Sequence, residues 1–387
     1  MTKIKSGVSL LLTLCLICML CACGNGKSSS GSSDISASSS ESSETEQVTT
    51  EAQTDKTDEM VSQMTLEEKV GQMFFVACPD VNAQEWVGKY HLGGYVLFGR
   101  DFADKAADEI KADIAGYQSK AKIPLLIGAD EEGGTVVRVS DNPNLRDSAF
   151  LSPKDTYASG GWEAVESAET EKAELLLSLG VNVNLAPVCD VTGNIESFIY
   201  DRSFSGDPDE VSEFVKKTVT IYNSKKLGSV LKHFPGYGDN TDTHEDMSYD
   251  DKSYEEFKKN DFPPFSEGIK NGAGAIMVAH NITACMDPEM PASLSENVHK
   301  VIRDEFGFDG VIMTDDLAMQ AITKYTGTDA AAVAAAKCGN DILCCSDVEA
   351  QYPAVIAAVQ SGEIPEEQID ASVKRILKWK QKLGLLK

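Results

Sequence analysis

The feature that most constrains this chain is a series of eight short apolar runs separated by segments with helical patterning. Continuous apolar runs of this length are typical of strands buried on both faces of a parallel sheet. They lie at 73–78, 94–98, 124–128, 181–187, 229–233, 275–279, 310–313 and 341–344. Helices are predicted at 103–118, 163–179, 209–226, 254–271, 329–338 and 366–383. The alternation predicts an α/β fold with a single (β/α)8 TIM-type barrel, and the alternatives are a doubly wound open sheet or two smaller α/β domains.

Composition narrows the classes of partner and cofactor. The 387 residues include 61 acidic and 35 basic side chains, a net charge of −26, which excludes nucleic acid as a partner because phosphate binding needs a basic face. Four of the ten cysteines lie in an N-terminal apolar segment, and the other six are scattered without a C-x-x-C pair. We therefore expect no zinc site, no dense disulfide framework, no other metal and no cofactor.

The N-terminus has the pattern of a secretion signal. Lys3 and Lys5 precede an apolar run at 8–22, which is shorter than the roughly 20 residues that a membrane-spanning helix needs. The run ends in LCACG at 20–24, which resembles the bacterial lipobox, in which cleavage precedes a cysteine that is then lipidated. The resemblance implies a lipoprotein signal peptide at 1–22 and a lipid anchor on Cys23. An ordinary signal peptide or a single membrane anchor is the alternative.

The segment that follows is predicted to be a spacer. Residues 23–57 are mostly Ser, Thr, Glu and Gly with almost no large apolar side chains. Such a segment cannot offset its ordering entropy by burial, so a disordered acidic Ser-rich linker is expected. The linker and the lipid anchor would hold a folded domain, residues 58–387, at the extracytoplasmic face of the cell membrane.

Polar side chains follow several of the predicted strands at the point where each strand ends. Active sites of (β/α)8 barrels are built at the carboxyl ends of the strands, so these side chains are expected to share one rim. They are Asp130, Glu131 and Glu132 after the third strand, Asp190 after the fourth, Lys232 and His233 in the fifth, His280 after the sixth, and Asp315 and Asp316 after the seventh. The sequence therefore predicts an active site on this rim.

Two features of the rim suggest acid–base chemistry. Only one of two adjacent strand residues points to the barrel axis, so one of Asp315 and Asp316 could be a nucleophile and the other a helix cap; two caps are the alternative. The glycine-flanked loop at 236–246 holds Asp242 two residues before His244. A carboxylate at that spacing can orient an imidazole and favour its charged form, which gives a general acid. An incidental histidine in an acidic turn is the alternative.

These motifs together resemble glycoside hydrolase family 3, in particular its bacterial β-N-acetylglucosaminidase branch. The strongest segments are KHFPG at 232–236, DTH at 242–244 and GVIMTDDLAM at 310–319. Further matches occur in the same order along the chain, at 130–138, 184–190, 202–204 and 291–293. One departure is Tyr237, where many relatives carry a histidine.

The resemblance implies a role for each matching residue. Asp315 matches the nucleophile, which forms a covalent glycosyl-enzyme, and His244 matches the acid/base, with Asp242 as its partner in a dyad. Asp190 is expected in a supporting polar network. The residues implied to bind the terminal sugar are Asp130, Arg138, Arg202, Lys232 and His233. His299, in a predicted helical segment, is expected at the surface.

The implied activity is that of an exo-acting retaining β-N-acetylglucosaminidase. Its substrates would be oligosaccharides or muropeptides that carry terminal N-acetylglucosamine, from cell-wall fragments or chito-oligosaccharides, and the protein is expected to be a monomer. Within enzymes, the alternatives are a β-N-acetylglucosaminide phosphorylase and a β-glucosidase or β-xylosidase. The alternative from another class is a non-enzymatic sugar-binding lipoprotein.

Overall fold

The structure is a computed structural model, and it describes residues 56–240, 243 and 247–386. The predicted signal peptide, Cys23 and the linker up to residue 55 lie outside the described residues, as do Asp242 and His244. Residues 56 and 57, which the sequence analysis assigns to the linker, are already helical. No helix among the described residues is both long enough and apolar enough to cross a membrane.

The described residues form ten strands, eight of which make one closed parallel sheet. In chain order the strands are β1 (Phe74–Ala77), β2 (Gly94–Leu97), β3 (Leu126–Ala129), β4 (Val183–Asn184), β5 (Gly228–Phe234), β6 (Tyr249–Asp250), β7 (Ala275–Val278), β8 (Ile282–Thr283), β9 (Val311–Thr314) and β10 (Leu343–Cys345). The sheet runs in the order β10-β1-β2-β3-β4-β5-β7-β9. A parallel bridge from Met313 to Ile342 joins the two ends. The predicted barrel is confirmed, and all eight strands lie within a few residues of their predicted positions.

The remaining two strands lie outside the barrel. β6 and β8 pair in parallel, with Tyr249 opposite Ile282 and Asp250 opposite Thr283. They connect the segment that follows β5 to the segment that follows β7. This small sheet was not predicted, because strands of two residues leave no periodic pattern.

The helices follow the strands as predicted, with additions. They are α1 (Leu66–Met73), α2 (Ala83–Lys89), α3 (Gly99–Phe102), α4 (Ala107–Gln118), α5 (Pro153–Leu179), α6 (Pro208–Lys225), α7 (Tyr254–Glu256), α8 (Phe262–Lys270), α9 (Glu296–Lys300), α10 (Gln320–Thr326), α11 (Thr328–Cys338), α12 (Val348–Gln360) and α13 (Glu366–Lys382). Single π-helical turns, Phe257–Asp261 and Val301–Glu305, follow α7 and α9. The predicted helix at 103–118 begins later, as α4. Helices α2, α3, α10 and α12 were missed, and α9 contains His299, which was expected in a helical segment.

Local sequence explains where several helices begin. Thr65 and Glu68 form a reciprocal capping box at the start of α1, which satisfies two backbone N–H groups that the helix itself cannot bond. At α5 and α6, Ser152 and Asp207 accept backbone N–H bonds, and proline occupies the first turn, where its missing N–H costs nothing.

The barrel interior is closed below the rim by an aromatic ring against two glycines. A Cβ atom placed on Gly94 would lie 2.7 Å from Cδ2 of Phe75, and one on Gly128 would lie 2.6 Å from its Cζ. Side chains at both positions are therefore excluded while Phe75 is in place. Phe75 in turn lines the cavity described below, so its packing fixes part of the cavity wall.

Candidate active site

A cavity of about 370 Å³ opens at the carboxyl ends of the barrel strands. This volume lies at the small end of the range of about 300–1,000 Å³ that is usual for ligand pockets. Its polar lining consists of Asp130, Arg138, Arg202, Lys232, His233, Asp315 and Asp316, and its apolar lining includes Phe75, Phe98, Met277, Met319 and Cys344. The structure thus brings together the predicted nucleophile and every predicted sugar-binding residue. It does not describe Asp242 or His244.

Glu132 connects the cationic residues of the cavity. Arg202 donates to both carboxylate oxygens of Glu132, from Nε at 2.9 Å and from Nη2 at 2.8 Å. Lys232 Nζ lies 2.6 Å from Glu132 and 2.6 Å from Asp130. Burial acts to raise the pKa of Glu132, but the charges of Arg202 and Lys232 outweigh burial and hold that pKa well below its usual range. Glu132 is therefore a buried anion shared by two cations.

Sequence reasoning gave Glu132 no role, because it stands in a run of three acidic residues that look equivalent in sequence. The structure separates them. Asp130 faces the cavity, whereas the Glu131 carboxylate points away and accepts the backbone N–H groups of Val139 at 2.7 Å and Arg138 at 2.9 Å. Glu131 also accepts the Ser140 hydroxyl. Glu131 thereby fixes the backbone that presents the side chain of Arg138 to the cavity.

His233 is held between an acid and a guanidinium. Its Nδ1 lies 2.7 Å from Asp190, and its Nε2 lies 3.1 Å from Nη2 of Arg202. The His233 ring therefore lies between the Asp190 carboxylate and the Arg202 guanidinium. These two contacts fix the orientation of the ring and of Arg202 relative to the cavity.

Asp190 occupies the supporting network that was expected for it. Besides His233, it accepts the backbone N–H of Tyr237 at 2.7 Å. Burial acts to raise the pKa of Asp190, but the interactions with His233 and the Tyr237 N–H bond lower it overall. Asp190 therefore couples the sugar-binding side of the cavity to the start of the segment that follows β5.

Asp315 and Asp316 have different surroundings. Asp316 accepts the backbone N–H of Ala318 at 2.9 Å and the Ser346 hydroxyl at 2.9 Å, so its carboxylate acts as a local cap. Burial raises its pKa. The Asp315 N–H donates to the Val278 carbonyl at 3.0 Å, which fixes Asp315 to the end of β7. Asp315 Oδ1 accepts the backbone N–H of Asp316 at 2.8 Å, and the Asp315 side chain lines the cavity. The structure thus shows one of the two carboxylates as a cap, and the nucleophile role of Asp315 stays a prediction.

Arg138 offers a donor to the cavity. Its Nε atom is buried and has no hydrogen-bond partner among the residues that the structure describes. Buried donors are normally satisfied, so this unsatisfied atom, in a residue that lines the cavity, suggests that the guanidinium has an acceptor on a bound ligand. The opposite polar wall, Asp130 with Lys232, offers both an acceptor and a donor.

Two of the other three histidines among the described residues serve the fold. His280 does not line the cavity; its Nε2 lies 2.9 Å from the Asp316 carbonyl, and its Nδ1 lies 2.7 Å from the Ser293 hydroxyl. The expectation that His299 lies at the surface is wrong. It is buried, its Nδ1 bonds to the Ser295 carbonyl at 2.7 Å, and burial lowers its pKa. His91 lies away from this cavity, in the turn after α2.

Tyr237 lies where the cavity meets the segment that follows β5. Its ring is buried against His233, and its hydroxyl is 2.7 Å from that of Thr243, the residue between Asp242 and His244. Burial and the Asp315 carboxylate both raise the pKa of Tyr237. The Asp315 charge is therefore within electrostatic reach of the Tyr237 phenol, which Thr243 contacts.

Comparison with known proteins places the chain in a family. The family model described as "Glycosyl hydrolase family 3 N terminal domain" matches residues 65–379. The chain is 35% identical over 279 residues to "Beta-hexosaminidase" of Stenotrophomonas maltophilia (strain K279a), which covers 69% of this chain and 81% of that protein. It is 30% identical to "Beta-hexosaminidase A" of Pseudoalteromonas piscicida, over 77% of this chain and 55% of that protein.

A solved structure agrees with these relatives. The fold matches that of a glycoside hydrolase family 3 beta-N-acetylglucosaminidase from Paenibacillus sp. str. FPU-7 with a TM-score of 0.78 and 33% identity. The match covers 83% of this chain and 63% of that protein, so the chain spans less than two thirds of it. With a closed barrel, a polar cavity at the carboxyl ends of its strands and a family match over most of its length, the chain belongs to glycosyl hydrolase family 3 and is a glycoside hydrolase.

Proposed function

We propose that this glycoside hydrolase is an exo-acting, retaining β-N-acetylglucosaminidase. It removes terminal non-reducing N-acetylglucosamine from cell-wall fragments or chito-oligosaccharides. The names of its relatives, beta-hexosaminidase and beta-N-acetylglucosaminidase, support the sugar class. The cavity of about 370 Å³, which is lined in part by Phe75, lies at the small end of the usual range for ligand pockets, and this supports binding of a chain end.

The observation that carries the proposal is the position of Asp315 in the same cavity as the ionic group around Glu132. Asp315 attacks the anomeric carbon, and a covalent glycosyl-enzyme forms and is then hydrolysed by water. Asp130, Lys232 and the free donor of Arg138 hold the sugar hydroxyls. Buried hydroxyls need fixed polar partners, so these contacts select the sugar and orient its anomeric carbon towards Asp315.

His244 protonates the leaving oxygen in the first step and removes a proton from water in the second. Asp242 orients the imidazole and stabilises its charged form. The support is the resemblance of the sequence at 242–244 and the contact of Thr243 with Tyr237, a residue that the Asp315 charge reaches. A histidine in this role contributes a rate factor of about 10²–10⁴, as general acids do.

The localisation is a further part of the proposal. The lipobox-like segment at 20–24 supports a lipid anchor on Cys23 and a place at the extracytoplasmic face of the membrane. Replacing Cys23 by Ser in the full chain should move the activity from the membrane fraction to the soluble fraction. Activity that stays with membranes after this change would contradict the anchor.

One assay tests the activity itself. The purified enzyme is given 4-nitrophenyl N-acetyl-β-glucosaminide and 4-nitrophenyl β-glucoside, each with and without inorganic phosphate, and the products are separated. The expected result is fast release of N-acetylglucosamine from the first substrate only. Accumulation of a sugar 1-phosphate would identify a phosphorylase, preference for the glucoside would contradict the sugar class, and binding without turnover would identify a sugar-binding protein.

A further inference from the structure

A cluster of polar residues lies outside the sugar cavity, and it includes the two described residues that flank 241–249, the stretch of sequence that contains His244. Its members are Asn240, Asp250, Lys252 and Asp261, and we call them the loop clasp. Asp250 and Asp261 are buried, and the Lys252 side chain is about a quarter exposed. None of the four lines the cavity, and none takes part in the proposed reaction.

The loop clasp joins the two ends of the segment. Asn240 Nδ2 donates to Asp250 Oδ2 at 2.6 Å, and the nine residues between these two positions include Asp242 and His244. Lys252 donates its backbone N–H to Asp250 at 2.9 Å, and its ammonium lies 3.4 Å from the same carboxylate. The chain therefore leaves and returns at one point, which is held by a charged hydrogen bond.

Asp261 anchors this point to the first turn of the segment. Its carboxylate lies 2.7 Å from the Lys252 ammonium. It also lies directly against Gly236, where an added Cβ atom would come within 2.5 Å of Oδ1. Because Gly236 also has a φ of +125°, a conformation that favours glycine, the turn can approach Asp261 only without a side chain.

Each end of the segment is also fixed to the rim by contacts outside the clasp. On the first end, Thr192 donates to Asp239 at 2.7 Å and Ser197 donates to the Gly238 carbonyl at 2.9 Å. On the second, the Ile282 N–H bonds to the Ser248 carbonyl at 2.8 Å, through the pairing of β6 with β8. These contacts fix each end separately, and among the described residues only Asn240 and Asp250 join one end to the other by a side-chain bond.

We propose that the loop clasp is a positioning device for acid–base catalysis, acting through the His244 segment and not through the sugar. This inference rests on the acid/base role proposed for His244. Because the two ends of the segment are joined, the positions in which it can place an imidazole relative to the leaving oxygen are limited. Displacing a catalytic group by about 1 Å can lower a rate by about 10²-fold. Breaking the bond between the two ends should therefore slow the steps that need the acid.

The test compares leaving groups. Asn240→Ala, Asp250→Ala and the double variant are assayed on 2,4-dinitrophenyl N-acetyl-β-glucosaminide, which needs little acid assistance, and on N,N′-diacetylchitobiose, which needs much. We expect each single variant to lose about tenfold to hundredfold in kcat/KM on chitobiose and less than about threefold in kcat/KM on the activated substrate, because kcat/KM reports the first step, in which the acid acts. The double variant should lose no more than Asp250→Ala alone, because Asp250→Ala already breaks the only side-chain bond that Asn240 makes in the cluster.

Controls separate this outcome from simple damage to the fold. Lys258→Ala removes an exposed lysine 3.5 Å from Glu255 on the neighbouring helix and should leave both activities unchanged. Equal losses on both substrates by Asn240→Ala, or additive losses in the double variant, would overturn the clasp. If Asp250→Ala unfolds the protein, Asn240→Ala alone decides, because Asn240 is only half-buried and makes one side-chain bond in the cluster.

His244→Ala, assayed on the same two substrates, distinguishes the two proposals. If it loses activity selectively on chitobiose while the clasp variants lose activity on both substrates alike, the acid role stands and the clasp is wrong. If His244→Ala itself lowers kcat/KM equally on both substrates, the acid role fails, and the clasp fails with it.

Discussion

Glu132 and Asp341 are both buried carboxylates that bridge two cations, and they lie at opposite ends of the barrel. Glu132 is near the carboxyl ends of the strands, with Arg202 at 2.8 Å and Lys232 at 2.6 Å. Asp341 precedes β10, with Arg303 at 2.6 Å and Arg375 at 2.9 Å. The local chemistry is nearly the same. The presence of a buried ionic group therefore does not by itself identify an active site.

The difference lies in what the cations do with their other donors. Arg303 donates to the carbonyls of Phe308 at 2.8 Å and Gly310 at 2.7 Å, so it also holds the chain that enters β9. Arg202 and Lys232 instead line the cavity beside Asp315. The group around Asp341, which we call the lower group, is directed to the backbone and fixes the fold. The group around Glu132, which we call the upper group, presents charge to a ligand at the carboxyl ends of the strands.

The largest expected effect is at the upper end. Asp315→Asn keeps the shape of the side chain but removes the nucleophile, so kcat on 4-nitrophenyl N-acetyl-β-glucosaminide should fall by more than about 10³-fold, or about 4 kcal/mol in the activation free energy. The affinity for N-acetylglucosamine, measured by calorimetry, should change little. Asp316→Asn is the matched neighbour and should lose far less, because Asp316 acts as a cap. Comparable losses in the two variants would show that the nucleophile is assigned wrongly.

The next effect is at the lower end and concerns stability. Asp341→Asn leaves two arginines with no shared counter-charge, and breaking a buried pair typically costs about 3–5 kcal/mol. We expect a value near 3 kcal/mol, because both arginines are partly exposed and water can solvate them. Urea unfolding measures this loss. The KM of the folded variant should equal that of the wild type, and a raised KM would remove the contrast between the two ends.

Glu132→Gln should give the opposite combination. Arg202 and Lys232 lose their common partner, but Lys232 keeps Asp130 and both cations lie at a cavity, so we expect a stability loss of only about 1–3 kcal/mol. The sugar-binding groups lose their alignment, and KM should rise about 10–100-fold with a smaller change in kcat. Steady-state kinetics on the aryl substrate and urea unfolding of the same sample measure both. A stability loss with an unchanged KM would show that Glu132, like Asp341, only stabilises the fold.

Much of the barrel could be predicted from the sequence, and the reason is burial. Strands covered on both faces have to be apolar throughout, so β1, β5 and β9 are visible as runs. Helix α12 was missed because it is a nearly continuous apolar segment with Pro353 inside it, and it lacks the period that identifies an amphipathic helix. Helix α10 has only seven residues, too few to show a period.

Part of the candidate site could likewise be predicted from the sequence, and part could not. Asp130, Lys232 and Asp315 could be predicted because strand ends of a barrel meet on one rim, and the family resemblance added Arg138 and Arg202. The choice among Asp130, Glu131 and Glu132 could not be made from the sequence. It depends on which carboxylate meets the backbone N–H groups of a distant segment, 138–140, and which meets Arg202, and both are tertiary contacts.

The smallest expected effect sharpens the contrast through Lys380, a buried lysine with no acidic partner among the residues that the structure describes. Lys380 is fully buried, its ammonium is bonded to Gln72 Oε1 at 2.8 Å, and burial lowers its pKa to about 7. The pKa of a lysine in an unfolded chain is about 10.4. Between about pH 7 and pH 10 the unfolded chain therefore binds a proton at Lys380 that the folded protein does not. The contribution of Lys380 to stability thus rises with pH. Lys380→Met should remove this rise, which is at most about 1.4 kcal/mol per pH unit, and should stabilise the protein at pH 7.

The measurement is the difference in unfolding free energy between wild type and variant at pH 7 and pH 8. Lys69→Met is the matched control, because Lys69 is paired with Glu366 at 2.9 Å and Asp370 at 2.6 Å and its replacement should destabilise the fold. A pH-independent difference for Lys380→Met would show that this lysine stays charged in the folded protein, and a buried charge can then be held at the lower end by an amide alone.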